Sequence, residues 1–178
     1  MERKKVKGMT NTALMAALLC VLGPIIIPMQ PIPFSMQVFA VFLAVCILGA
    51  KNGTIAVVMY LLIGIIGVPV FAGFSGGAGC ILAPAGGFLI GFVPMAIISG
   101  IFIDKFPNHI AIQFIGMFLG LVVLYIFGTA WLIILTKFPL EKALRAAVYP
   151  FVALDSIKGI IAMFISRIVK KRLGGYIF

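Results

Sequence analysis

Asp155 and Lys158 are the only charged residues in the body of an otherwise apolar run between about Pro150 and Val169. An ionisable side chain within a bilayer costs at least about 2.5–3.5 kcal/mol at its centre, so such residues usually mark a functional site. Their i, i+3 spacing places both on one helix face, where a carboxylate acceptor and an ammonium donor meet a polar ligand together. The pair predicts a ligand site, and a purely structural ion pair is the alternative.

The other reactive residue types form no catalytic or metal-binding set. Cys20, Cys46 and Cys80 are far apart in or beside apolar segments, and His109 is the only histidine. This pattern predicts no metal site and no cofactor, and it offers no Ser–His–Asp triad. The chain also lacks a phosphate-binding Gly-x4-Gly-Lys-Ser/Thr loop. We therefore expect a protein that is not an enzyme and does not hydrolyse ATP by itself.

The composition places these residues in a membrane protein. Of the 178 residues, 63% are apolar and 10% are charged, whereas an average soluble domain has about half apolar and a quarter charged residues. The chain has fourteen Lys and Arg against four Asp and Glu. These basic residues lack the clustered aromatic and base-reading groups of a nucleic-acid site. We therefore expect the lipid bilayer, and no nucleic acid, as a partner.

Prolines, glycines and charges divide the chain into six predicted membrane-crossing helices, since a crossing needs roughly 20 mainly apolar residues. They cover about 9–28, 34–50, 54–70, 86–103, 110–135 and 150–169 of a single domain, 1–178. An even number of crossings puts both termini on one side, which then carries ten of the fourteen basic residues. The positive-inside rule makes that side the cytoplasm. The prediction is a compact all-α bundle in a bacterial-type cell membrane, with cytoplasmic termini.

A long glycine-rich loop joins the third and fourth predicted helices at the outer side. Nine of the twenty glycines lie within 64–91, together with Phe71 and Phe74, which a solvated linker would not carry. Non-helical backbone at membrane depth is tolerated where it lines a cavity, so we expect a lid or pocket wall. A merely flexible loop is the alternative. On the same side, Gln37 is one of the few amides within a predicted helix, and Phe34 offers an apolar wall.

Several motifs then follow one another along the chain. They are PIPFSMQVF, IGIIGVPVFAGFSGG, APAGGFLIGF, GTAWL and YPFVALDSIK. In this order they resemble the BioY family, the biotin-specific substrate-binding subunits of energy-coupling-factor (ECF) vitamin transporters. The resemblance runs from about Ala13 to Lys158. It implies a six-helix bundle that captures biotin near the extracellular face and delivers it inward by ATP-driven uptake.

The resemblance also implies roles for individual residues. Asp155 and Lys158 match the pair that binds the biotin headgroup, whose ureido ring offers N–H donors and one carbonyl acceptor. Gln37 matches a further binding position, as does the Gly86, Gly87 and Phe88 segment. Ser75 or the loop backbone is expected to replace an asparagine that this chain lacks. Apolar contacts for the thiophane ring and the valeryl tail are expected from Phe34, Tyr60, Phe71, Phe74 and Tyr149.

Partner binding is implied by the first helix. Ala13 and Ala17 match an Ala-x3-Ala motif by which substrate-binding subunits of this class dock on a shared transmembrane coupling protein. The resemblance therefore implies a complex with that protein and with two ATPase subunits. The alternative is a stand-alone proton-coupled secondary transporter of a small organic acid or vitamin, with Asp155 as the proton carrier. The chain shows neither a second intramembrane acid nor an inverted repeat to favour that alternative.

Overall fold

The chain folds into long helices and one short pair of strands. The computed structural model describes residues 2–28 and 32–177, with side chains for 6–28 and 32–172. Pro31, the first residue of the PIPFSMQVF motif, lies outside the described residues. The helices are α1 (Glu2–Leu22), α2 (Gln37–Ile65), α3 (Gly79–Leu82), α4 (Gly86–Lys105), α5 (Ile110–Thr136), α6 (Leu140–Ala147) and α7 (Tyr149–Ile177). The strands β1 (Ile26–Ile27) and β2 (Phe34–Ser35) pair antiparallel, with Ile26 opposite Ser35.

Among the described residues, four segments are long and apolar enough to cross a membrane. They are Gln37–Ile65, Gly86–Lys105, Ile110–Thr136 and Leu140–Arg172, and a shorter apolar helix covers Val6–Leu22. The predicted multi-pass, mostly helical membrane fold is therefore confirmed. Two short helices, α3 and α6, lie in regions where the sequence predicted connections only.

The second and third predicted helices are joined in α2, which reverses direction at Gly49. A Cβ atom on Gly53 would lie 2.8 Å from the Cα of Val45, whereas residues eight apart in a straight helix are separated by roughly 12 Å. Residues 37–48 and 50–65 therefore run antiparallel, side by side. The reversal lies two residues before the predicted connection at 51–53, because Gly49 adopts φ 78° and ψ −174°, a conformation that side chains disfavour.

The Gly49 reversal predicts a stability effect. Gly49→Ala is expected to lower the free energy of unfolding by about 1–3 kcal/mol, because the backbone conformation is strained for alanine. The new methyl group would also overlap the carboxylate of Asp104, which accepts a hydrogen bond from the Ala50 amide at 2.8 Å. Thermal unfolding in detergent measures the effect. Gly8→Ala is the control, since among the described side chains its methyl group would meet only Asn52, at 3.7 Å; equal stability of the two variants would contradict the prediction.

The bundle has two distinct ends. At one end, called the basic end, Gly8 of α1 lies beside Asn52, and the Asp104 carboxylate accepts a hydrogen bond from the Ala50 amide. At the loop end, the amide of Gly73 donates to the Pro24 carbonyl at 3.1 Å, which ties the segment 66–85 to the β1–β2 region. The 37–65 hairpin of α2 packs against α1, α4 and α7, and α5 packs on α4. This arrangement brings α2, α4, α5 and α7 together beneath the loop end.

Candidate functional site

A cavity of about 220 Å³ lies at the loop end, covered by residues of the segment 66–85. Pockets for drug-sized ligands are roughly 300–1,000 Å³, so this cavity suits a compact molecule. Most of its wall is apolar. Its lining residues are Ile32, Pro33, Ser35, Gln37, Val38, Phe71, Ala72, Ser75, Cys80, Ala83, Ala85, Phe88, Leu89, Phe92, Leu124, Tyr125, Ala147, Phe151, Asp155 and Lys158.

Asp155 and Lys158 form the charged part of the wall, on the first turns of α7. The Lys158 Nζ lies 2.8 Å from the Asp155 Oδ1. Both residues are buried: Asp155 is 4% exposed and Lys158 is 7% exposed. Lys158 also donates to the Ser35 carbonyl of β2 at 2.6 Å and lies 3.6 Å from the centroid of the Phe34 ring. The predicted pair is therefore formed, and β2 holds its ammonium group in place.

Tyr125 of α5 holds the other oxygen of the carboxylate. Its hydroxyl donates to the Asp155 Oδ2 at 2.8 Å. A carboxylate has about four acceptor positions, and the described residues fill two of them through Lys158 and Tyr125. Asp155 can therefore accept further N–H groups. Sequence reasoning missed Tyr125, although a tyrosine within an apolar helix is a signal, because its buried hydroxyl needs a partner.

Gln37 begins α2, lines the cavity and belongs to a chain of hydrogen bonds that runs from the wall to the buried Tyr60. The Ser35 hydroxyl donates to its Oε1 at 3.1 Å, and its Nε2 donates to the Tyr60 hydroxyl at 2.6 Å. Tyr60 in turn donates to the Val70 carbonyl at 3.0 Å and meets Phe71 edge-on at 5.6 Å. Tyr60 is fully buried and does not line the cavity. Tyr60 therefore holds Gln37 in place by a hydrogen bond and Phe71 by a ring contact.

The structure places the other predicted site residues in two groups. Ser75 and Phe88 line the cavity, and the Ser75 hydroxyl donates to the Ala72 carbonyl at 2.9 Å. Phe74 and Tyr149 are 72% and 62% exposed and do not line it. The backbone of Phe74 takes a left-handed conformation, with φ 57°.

Phe34 and Gly86 shape the cavity from outside its lining. Phe34 stacks on Phe151, with ring centroids 6.3 Å apart, and lies under Lys158. Gly86 has no room for a side chain, because a Cβ atom there would overlap the Ile81 backbone. Six residues of the glycine-rich segment 66–85, at 71, 72, 75, 80, 83 and 85, line the cavity, so the segment forms part of the pocket wall.

Comparisons with known proteins identify one family. The BioY family model matches residues 1–175. The chain belongs to the BioY family. The biotin transporter BioY of Thermotoga maritima is 36% identical over 93% of this chain and 96% of its own length. The probable biotin transporter BioY of Pyrococcus horikoshii is 36% identical over 92% of this chain and 96% of its own.

A solved structure agrees with this assignment. The crystal structure of the S-component for biotin from an ECF-type ABC transporter superposes with a TM-score of 0.87 and 31% sequence identity. The match covers 96% of this chain and 94% of that one. The resemblance to the BioY family is therefore confirmed in sequence and in fold.

The α1 helix of this BioY-family chain presents two faces. Ala16 and Leu19 are buried against the bundle, whereas Ala13 and Ala17 are exposed on the outer surface. The alanines predicted to contact a partner are therefore available for contact. Small side chains of this kind let a second helix approach closely.

Sequence reasoning also missed apolar parts of the wall. Phe92, Leu124 and Phe151 line the cavity from α4, α5 and α7. Phe151 stands next to Pro150 in the YPFVALDSIK motif, one helical turn before Asp155, and that spacing could have identified it. Phe92 and Leu124 stand in long apolar runs, where nothing in the sequence distinguishes a cavity wall from a lipid contact.

Proposed function

We propose that this chain binds biotin in the cavity and serves as the S-component of an ECF-type vitamin uptake transporter. The observation that carries the proposal is the cavity itself. A single buried ion pair, joined by Tyr125, forms one part of a wall that is otherwise mainly apolar. The names of the BioY relatives and of the structural neighbour support biotin as the ligand. The chain is then a transporter subunit and not an enzyme.

The geometry suits the chemistry of biotin. The ureido ring is neutral, and the Asp155–Lys158 pair has no net charge, so the ring brings no uncompensated charge to the buried pair. The open acceptor positions of Asp155 suit the ureido N–H groups, and Lys158 can donate to the ureido carbonyl. Phe71, Phe88 and Phe92 offer apolar surface to the thiophane ring and the valeryl tail. Gln37 and Ser75 supply further polar contacts.

A stand-alone proton-coupled transporter is not favoured. A proton relay through the membrane uses several ionisable groups in sequence. Among the described side chains of the cavity wall, Asp155 is the only acid. The relatives are named biotin transporters, and the structural neighbour is an S-component of an ABC transporter.

The proposed membrane arrangement has six crossings, with both termini in the cytoplasm. The two antiparallel segments of α2 count as two crossings, beside α1, α4, α5 and α7. Lys7, Lys51, Lys105 and Arg167 belong to the basic end, and the positive-inside rule assigns that end to the cytoplasm. The cavity then opens toward the outside of a bacterial-type cell membrane.

The proposed machine includes partners that supply energy. The exposed pair Ala13 and Ala17 is the proposed docking site for the transmembrane coupling protein. Two ATPase subunits complete the complex and hydrolyse ATP. Capture of biotin needs none of them, because the whole cavity is built from this one chain.

A titration tests the proposal directly. Labelled biotin is added to the detergent-purified chain without nucleotide, with thiamine and riboflavin as competitors. We expect tight, one-to-one binding that only biotin competes away. A folded chain that does not bind biotin would contradict the proposed ligand. Uptake into vesicles by the chain alone, driven by a proton gradient, would favour the secondary transporter instead.

Tyr125 predicts a graded effect on the same titration. Tyr125→Phe keeps the ring but removes the hydrogen bond to the Asp155 carboxylate, and hydrogen bonds to charged groups contribute about 1.5–3 kcal/mol. We expect biotin affinity to fall roughly 10- to 100-fold. Tyr149→Phe is the matched control, since Tyr149 is exposed and outside the cavity. Equal affinities for the two variants would show that Tyr125 does not orient Asp155.

A further inference from the structure

A second apolar cavity lies on the membrane-facing side of α5, between α5 and the α6–α7 segment. Its volume is about 420 Å³. The lining residues are Phe118, Leu121, Val122, Tyr125, Ile126, Thr129, Ala130, Ile133, Leu140, Leu144, Val148 and Val152. This set is called the α5 groove below. It shares only Tyr125 with the biotin cavity.

The α5 groove runs along much of α5. Its α5 residues recur every three or four positions from Phe118 to Ile133, which is the spacing of one helix face. At 1.5 Å per residue this stripe measures roughly 22 Å, compared with roughly 30 Å for a whole hydrocarbon core. A cavity of this shape suits an extended acyl chain better than a compact ligand.

The groove ends at a surface helix. In α6, Leu140 and Leu144 line the groove. Glu141, Lys142 and Arg145 are exposed. A helix with one apolar and one charged face is typical of the membrane–water interface. The end of the groove at α6 therefore lies where lipid headgroups lie.

This end of the groove carries positive charge without a matching acid. Lys137 follows Ile133 by one helical turn, whereas Lys142 lies on the charged face of α6, away from the groove and over the Phe138 ring at 4.0 Å. Glu141 is the only acid of α6, and it pairs with Arg145 at 2.7 Å. Among the described side chains, Lys137 forms no ion pair with an acid, so its ammonium group can bind the phosphate of an anionic lipid.

Thr129 adds a polar group within the groove. It is 5% exposed, and its hydroxyl has no hydrogen-bond partner among the described residues. A buried hydroxyl without a partner is unfavourable. Thr129 also lines the groove, where the ester carbonyl of a lipid can accept its hydrogen bond.

We propose that the α5 groove binds one anionic phospholipid. One acyl chain lies along α5, the ester carbonyl accepts from Thr129, and the phosphate binds Lys137. The site is distinct from the biotin cavity, and lipid binding does not depend on the identity of the vitamin. The fraction of the chain that carries a bound lipid then depends on the lipid composition of the membrane.

Native mass spectrometry of the delipidated full chain in detergent tests the proposal. The chain is titrated with phosphatidylglycerol and, separately, with phosphatidylcholine that has the same acyl chains. We expect one phosphatidylglycerol to bind about tenfold more tightly. Ala130→Phe fills the groove and is expected to abolish this binding. Ala111→Phe is the matched control, because Ala111 is also an exposed alanine of α5 but lies outside the groove.

A second pair of variants tests the headgroup without changing the packing. Lys137→Gln is expected to remove the preference for phosphatidylglycerol, whereas Lys105→Gln at the basic end is expected to keep it. Thermal unfolding checks that each variant is folded. Equal affinity for the two lipids, or an unchanged preference in the Lys137→Gln variant, would overturn the proposal. A dimer that Ala130→Phe dissociates would assign the groove to a second copy of the chain.

Discussion

Asp155→Asn is expected to lower biotin affinity by about 100-fold or more. The amide has the volume of the carboxylate but no charge, and its NH2 group cannot accept the N–H donors of a ureido ring. Lys158, which is 2.8 Å away and buried, also loses its counter-charge. Removing one partner of a buried pair typically costs about 3–5 kcal/mol, which corresponds to a factor of about 10² or more. The biotin titration measures the loss.

Glu141→Gln is the matched control for this variant. Glu141 also pairs with a basic residue, Arg145, at 2.7 Å, but this pair is exposed on α6. Exposed pairs contribute little, about 0–1 kcal/mol. We therefore expect normal biotin affinity in the Glu141→Gln variant. Wild-type affinity in the Asp155→Asn variant would place the biotin headgroup away from Asp155, even if the chain binds biotin.

Lys158→Met, alone and combined with Asp155→Asn, separates the binding role of the pair from a structural role. Lys158→Met leaves the Asp155 carboxylate buried with Tyr125 as its remaining described partner. We expect a loss of about 3–5 kcal/mol in stability or binding. The double variant buries no charge at this place, and neutral replacements of buried pairs are often as stable as the pair itself. It is therefore expected to recover stability but not biotin affinity.

Two measurements on the same samples decide between these roles. Thermal unfolding without biotin reports stability, and titration of the folded protein reports affinity. If the pair is only structural, the double variant would recover both quantities. Lys142→Met is the control for loss of a lysine, because Lys142 is exposed on α6 and lies over the Phe138 ring at 4.0 Å. It should leave both measurements unchanged.

The membrane class and the position of the ion pair were predictable from the sequence, because a bilayer penalises charge wherever it occurs. Asp155 and Lys158 stand out in an apolar run without any knowledge of their neighbours. The glycine-rich wall was predictable for a similar reason, since a loop with phenylalanines is not a solvated linker. The reversal of α2 was placed nearly correctly, but Gly49 was not singled out. The Asp104 carboxylate of α4 lies against Gly49 and accepts from the Ala50 amide, and these contacts are visible only in the tertiary structure.

Only the tertiary structure showed which aromatic residues face the cavity. Phe88 packs where Gly128 of α5 has no side chain, and Phe71 packs against Gly64 of α2 in the same way. Tyr125 meets Asp155 across 30 positions of sequence. In a soluble helix the polar face would reveal the rotation of the helix. Here lipid and protein interior are both apolar, so hydrophobicity does not distinguish the two faces, and the packing of side chains against glycines decides between them.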